Sequence, residues 1–283
     1  MKNLLLRLPL LLLVAAFPAT LPATLAAQGA VTVAPTAVQM DHASRSASVT
    51  LVNTGTSPAE VEVGTIFAYP STDDDGRLHL LEGDADADPR SAAGWIRPFP
   101  RQLVLEPGER RVVRLLGEPP ADLADGEYWA RLVVTSREAA PAVTASAGED
   151  IQVGLTMEVR TILAANYRKG AVDTGLRVAS FEPEVDDGVL RLHTRMEREG
   201  SAAYIGTLTL ALEDASGTVL REWTEQVAVY RGVERVIERP VDDLPPGDWV
   251  LRARFSTADR SDVPATVRLD TEPVDVSAPV RRR

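Results

Sequence analysis

The 283-residue chain has no cysteine. Disulfides, thiolate metal sites and thiol chemistry are therefore closed to it, and its order must come from packing. Histidine is almost as scarce: His42, His79 and His193 are the only three, and no two stand at a metal-binding spacing. Aromatic residues make up only 5%. Trp95, Trp129, Trp223 and Trp249 all fall in strand-like contexts, which suits packing better than a stacking platform for sugars or bases. GxSxG, SxxK and HExxH spellings are missing, and so are glycine loops that could cradle phosphate. These absences argue against an enzyme and imply no cofactor.

Long apolar runs are also lacking, with one exception at the start. Leu8 to Phe17 is broken only by Pro9, Lys2 and Arg7 precede or open it, and TLAAQ (24–28) supplies small residues for a peptidase. This pattern predicts a signal peptide over 1–27, cut near Ala26 or Ala27. It is too short to span a bilayer comfortably, so an exported chain with no membrane insertion after cleavage is expected. The formal charge is -11, and loss of Lys2 and Arg7 with no acid takes it to -13. That balance argues against nucleic acid or anionic membrane as the main partner. Arg281 to Arg283 run against the trend, and 277–283 is expected to be a frayed basic tail.

What is present is strand and turn. VTVAPTAVQM (31–40), SASVTLVNTG (46–55) and AEVEVGTIFAY (59–69) are rich in Val and Thr and bounded by Asn, Gly, Pro and Ser, which reads as strand, turn, strand. In WIRPFPRQLVLEPGERRVVRLL (95–116), Glu106-Pro107-Gly108-Glu109 marks a turn. DGEYWARLVVTSRE (125–138) alternates from Tyr128 to Val134. A second half continues in the same style, and DLPPGDWVLRARF (243–255) parallels ADLADGEYWARLVV (121–134) as a weak internal echo. The length fits two sandwich domains of about 100 residues. An all-β chain follows, divided into 28–168 and 172–276 with the boundary near Lys169 to Asp173.

Ser71, Asp73, Asp75, Gly76 and Glu82 stand at positions one, three, five, six and twelve of a calcium-loop pattern. Position one should be acidic and the flanks read as strand, so Asp74-Asp75-Gly76 is expected to be a hairpin turn and no metal site is assigned. Asp84, Asp86 and Asp88 read as a solvated loop.

IQVGLTMEVR (151–160) carries the functional signal. Ile151, Val153, Leu155, Met157 and Val159 alternate with Gln152, Gly154, Thr156, Glu158 and Arg160, giving one oily face and one wet face. Alternation alone fits two readings: a strand packed on its own domain, or a strand offered to another chain.

The first half is similar to the periplasmic pilus-assembly chaperones of the chaperone/usher (PapD-like) type. IRPFPRQLVLEPGERRVVRLL (96–116) resembles their Pro-containing strand, Pro-Gly turn and strand ending in Arg-Leu. GEYWARLVVTSRE (126–138) resembles the aromatic strand that follows, and IQVGLTMEVRTIL (151–163) falls where the family carries a donor strand. The resemblance spans roughly residues 30 to 168. It implies two immunoglobulin-like β-sandwich domains in tandem, a periplasmic location, a pilin-like subunit as partner and an outer-membrane usher as a further one. It implies that Ile151, Val153, Leu155, Met157 and Val159 fill a groove in the subunit. Arg160 falls where the family holds the subunit's terminal carboxylate in the interdomain cleft, a task that Arg performs bidentately. The family's first-strand Arg has no counterpart, because VTVAPTAVQM offers Thr36 and Ala37 there. An exported two-domain structural or adhesive protein without a client is the second reading.

Overall fold

Val, Thr and Ile at alternate positions favour extended backbone, while Asn, Asp, Pro and Gly between them end each run. The computed structural model describes residues 31–139, 157–260, 263 and 267–282, and every regular element among them is a strand. The first domain contains β1 (Val31–Ala34), β2 (Ala37–Asp41), β3 (Ser46–Asn53), β4 (Ala59–Ile66), β5 (Ala68–Thr72), β6 (Leu78–Glu82), β7 (Ile96–Phe99), β8 (Gln102–Leu105), β9 (Arg110–Gly117), β10 (Gly126–Glu138) and β11 (Glu158–Lys169). The second contains β12 (Thr174–Asp186), β13 (Val189–Gly200), β14 (Tyr204–Asp214), β15 (Val219–Val229), β16 (Val233–Pro240), β17 (Gly247–Ser256) and β18 (Val274–Arg282).

Two sheets form the first sandwich, in the orders β1-β3-β9-β7 and β2-β11-β10-β4-β8, and two form the second, β12-β13-β16 and β15-β14-β17-β18. The fold is two immunoglobulin-like sandwiches in tandem. VTVAPTAVQM is not the single strand that its composition suggests. Pro35 and Thr36 carry the chain from β1, at the edge of one sheet, to β2, at the edge of the other, because proline removes a ladder donor at the crossing.

Met40, Leu51, Leu105, Leu115, Leu132 and Tyr167 pack in the first core, and Leu192, Leu208, Leu212, Leu251 and Phe255 in the second. Tyr230 and Ala203 of the second domain join the first core rather than their own. The domains therefore share a packed junction.

The Asp73–Gly76 segment is the turn of the β5–β6 hairpin, with Gly76 N–H donating to Asp73 O at 3.0 Å. Gly76 has φ +74, and a Cβ there would lie 2.5 Å from Val236 Cγ2. Only glycine allows the hairpin tip to press on β16 this closely. Val236 N–H then donates to Gly76 O at 3.0 Å.

The expected tail at 277–283 is corrected. Residues 277–282 belong to β18, which pairs with β17 from Phe255↔Val274 to Gly247↔Arg282. Val280 enters the second core, Arg281 pairs with Asp248, and Arg282 donates to the carbonyls of Val241 at 2.7 Å and Asp242 at 2.9 Å. Arginine ends this strand because loop carbonyls await it.

Candidate functional site

The site is built on β11. On one side β11 pairs with β10 throughout, from Gly126↔Lys169 to Arg137↔Glu158. On its other side β2 runs alongside only from Ala164↔Ala37 to Arg168↔Asp41. Residues 158–163 thus have no strand on their outer edge among the described residues, and their outward N–H and C=O groups face an open lane.

Side-chain cover changes along the same strand. Leu163, Ala165 and Tyr167 are buried in the first core, Thr161 and Val159 on the same face are half-buried, and Met157, one residue ahead of β11, is 57% exposed. Of the five expected groove fillers, Met157 and Val159 are the described ones; Ile151, Val153 and Leu155 lie outside the described residues.

Arg160 is exposed and sits opposite Thr135. The interdomain cleft is at the other end of β11, eight residues and about 26 Å further along at the rise of an extended strand. Arg168 occupies that end. Its Nε donates to Glu127 Oε2 at 2.7 Å and its Nη1 to Val267 O at 2.5 Å. Arg160 therefore lies away from the cleft, where Arg168 is one of several basic groups. The sequence signal was the Asn166-Tyr167-Arg168-Lys169 run just before the domain boundary.

A cavity of about 640 Å³ opens at the junction beside Arg168. Ala37, Gln39, Ala164 and Asn166 of the first domain and Ile205 and Arg268 of the second are among the residues that line it. Arg268 is paired with Asp270 at 2.7 Å. The chamber is largely apolar, and the guanidinium groups of Arg168 and Arg268 at its wall are ion-paired with Glu127 and Asp270.

A buried polar lock holds the two domains around this chamber. Glu127 is fully buried and accepts from Arg168 Nε, from Trp129 Nε1 at 3.0 Å and from the Ala203 N–H at 3.0 Å. Trp129 stacks edge-on against Tyr230 at 5.1 Å. Arg131, also buried, donates to Ala68 O at 2.9 Å and Tyr230 OH at 3.3 Å, with its guanidinium 4.7 Å from the Tyr230 ring centre. On the flank, Arg90 donates to Ser201 O at 3.3 Å and Arg231 pairs with Asp88. Desolvation lowers the pKa of Arg198, which donates to Tyr230 O at 2.8 Å.

At the edge of the junction, His42 Nδ1 is 2.6 Å from Tyr167 OH, and Arg45 Nη2 is 3.1 Å from His42 Nε2. Arginine can only donate, so Nε2 accepts and Nδ1 carries the proton. Desolvation, with the Arg45 and Lys169 cations nearby, holds the imidazole below its usual pKa. Burial pushes the Tyr167 phenol up. Among the described residues, no three His, Asp or Glu side chains cluster as a metal site.

No family model and no curated protein matches the chain. Among solved structures, it is similar to a chain of the CsuC–CsuE chaperone–tip adhesion subunit pre-assembly complex from the archaic Csu pili of Acinetobacter baumannii. That match has 16% identity over 74% of this chain and 90% of that one, with a TM-score of 0.40. It is also similar to the E. coli chaperone DraB, at 13% identity over 79% and 89% of the two chains and a TM-score of 0.38. A third is the YadV chaperone, at 13% identity over 88% and 98%, with a TM-score of 0.42.

Proposed function

We propose that the protein is a non-catalytic periplasmic chaperone that holds a pilin-like subunit by lending it a strand. The lent segment is 151–159, continued by the uncovered half of β11. The observation that carries this reading is the outer edge of residues 158–163, unpaired among the described residues, on a strand whose opposite edge is fully paired. An incomplete immunoglobulin-like subunit lacks one strand, and an exposed edge with an alternating apolar face supplies what it lacks.

In this reading Ile151, Val153, Leu155, Met157 and Val159 enter the subunit's groove. Of these, Ile151, Val153 and Leu155 alone contribute about 5 to 9 kcal/mol gross, and association costs about 4 to 15 kcal/mol. Main-chain pairing along about 30 Å adds to the favourable side. The balance suits a handover complex, held firmly and then released, with an outer-membrane usher as the natural recipient. The junction cavity beside Arg168 is the proposed seat of the subunit's terminal carboxylate, and Arg160 meets the subunit's outer surface.

The test is complex formation with a pilin-like subunit lacking its last strand, followed by size-exclusion chromatography. Wild type is expected to form a 1:1 complex, whereas Val153→Asp and Leu155→Asp remain folded and lose it. Unfolding of the isolated variants would instead assign the apolar face to the protein's own core. Amidating the subunit's C-terminus should weaken binding about tenfold if the carboxylate seat is occupied.

A further inference from the structure

In a chain of net charge -11, one face is basic. On the outer side of the sheet β1-β3-β9-β7, Arg97 and Phe99 of β7 stand beside Arg110, Val112, Arg114 and Leu116 of β9, with Arg97 opposite Leu116 and Phe99 opposite Arg114. All six are exposed, Phe99 by 76%. Arg110 and Arg114 have no ion-pair partner among the described residues. The neighbouring outward positions on β3 are Ser46, Ser48, Thr50 and Val52, which add no charge. This face is thus three arginines, of which Arg97 pairs with Glu118 at 3.7 Å, interleaved with three apolar side chains.

Its complement is on the same molecule. β6 exposes Leu78, Leu80 and Leu81. Glu82 on the strand, Asp74 at the turn and Asp84 and Asp86 beyond it are exposed and have no ion-pair partner among the described residues. The hairpin and the basic face contain six of the ten large exposed hydrophobic side chains among the described residues. Within one molecule no ion pair or hydrogen bond among the described residues joins the two surfaces. The hairpin leans on β16 of the second domain, and the second domain packs on the β2-β11-β10-β4-β8 sheet through Trp129 and Tyr230. The basic face lies on the opposite side of the sandwich.

We propose that the acidic leucine hairpin of one copy docks on the basic face of a second copy. The five residues of β6 extend about 17 Å, which fits within the roughly 23 Å from Arg110 to Leu116. Like charges are kept apart, and each apolar set gains cover. The contact is heterologous: each copy uses its hairpin on one neighbour and its face on another, so it builds open chains or rings rather than closed twofold pairs. Its area lies at the small end of protein interfaces, below about 1,200 Å², the class of weak and transient encounters, and its exposed charges make it salt-sensitive. It does not use β11, and although Leu78 borders the junction cavity, the variants below leave that residue and β11 unchanged, so the proposal stands independently of the chaperone reading.

Sedimentation of the full chain tests it, from about 5 to 500 µM so as to bracket a micromolar affinity, at low and at high salt. Wild type is expected to grow beyond dimer with concentration at low salt and to fall back at high salt. Arg110→Glu/Arg114→Glu (face) and Leu80→Asp/Glu82→Lys (hairpin) should each be monomeric, with unfolding midpoints like wild type. Mixed together, these two variants should form a 1:1 heterodimer and stop there, since one keeps only a hairpin and the other only a face. A wild type that stays monomeric throughout overturns the proposal. So does association that survives in either variant alone, or a mixture that fails to pair.

Discussion

The two halves of β11 carry the same alternation and meet opposite fates. From Ala164 to Arg168 the strand has β10 on one side and β2 on the other, and Ala165 and Tyr167 are buried in the core. From Glu158 to Leu163 it has, among the described residues, β10 alone, and cover over its inward face thins until Met157 is mostly exposed. One strand thus closes a domain at one end and leaves an edge at the other. Proteins usually blunt such edges, and an edge left open in line with an apolar segment is the physical basis of the proposed strand lending.

The strongest way to break the comparison is to place one charge on each half of the same face. Ala165→Asp buries an uncompensated carboxylate and should cost about 5 kcal/mol or more, seen as loss of the cooperative unfolding transition. Val159→Asp, six residues earlier, should cost only about 1 kcal/mol and leave the transition in place. Equal losses would mean that the two halves are equally covered.

Glu127→Ala tests the closed end from the partner strand. It strands the Arg168 guanidinium, the Trp129 indole and the Ala203 N–H, and a broken buried pair of this kind costs about 3 kcal/mol. Chemical denaturation should show the loss together with faster proteolysis between Lys169 and Thr174. A stable variant with an intact linker would show that the lock does not hold the domains.

The smallest expected effect sharpens the same end by pH. His42 is held neutral in the folded state, below its unfolded pKa. The unfolded chain therefore binds the extra proton first, and stability present above about pH 6.5 declines as the pH falls through the folded value. His42→Gln should flatten the stability profile in that acid window. An unchanged slope would move its origin to other groups.

Much of this architecture was legible in the sequence, because Val and Thr runs broken by Asn, Pro and Gly leave little but strands. Burial was harder to read. DGEYWARLVV and GDWVLRARF look alike, yet β17 alternates in burial while β10 is covered on both faces from Gly126 to Val134. The second domain sits on Glu127, Trp129 and Arg131, and a strand's own residues do not announce what a distant segment will cover. The same blindness explains the cleft base. Arg160 matched by order along the chain, whereas the distance to the cleft is set by where β2 begins to pair and where the second domain starts. Arg282 likewise reads as a loose tail until the carbonyls of Val241 and Asp242 are beside it.

The most direct measurement is hydrogen exchange across residues 151–163, in the isolated protein and with a pilin-like subunit that lacks its last strand. The account predicts rapid exchange at the outward amides of this stretch in the free protein, slower exchange in Ala164 to Arg168, and protection spreading over 151–163 when the subunit binds. Amides in 151–163 already as protected as those of β10 without a partner, and unchanged on adding one, would contradict it.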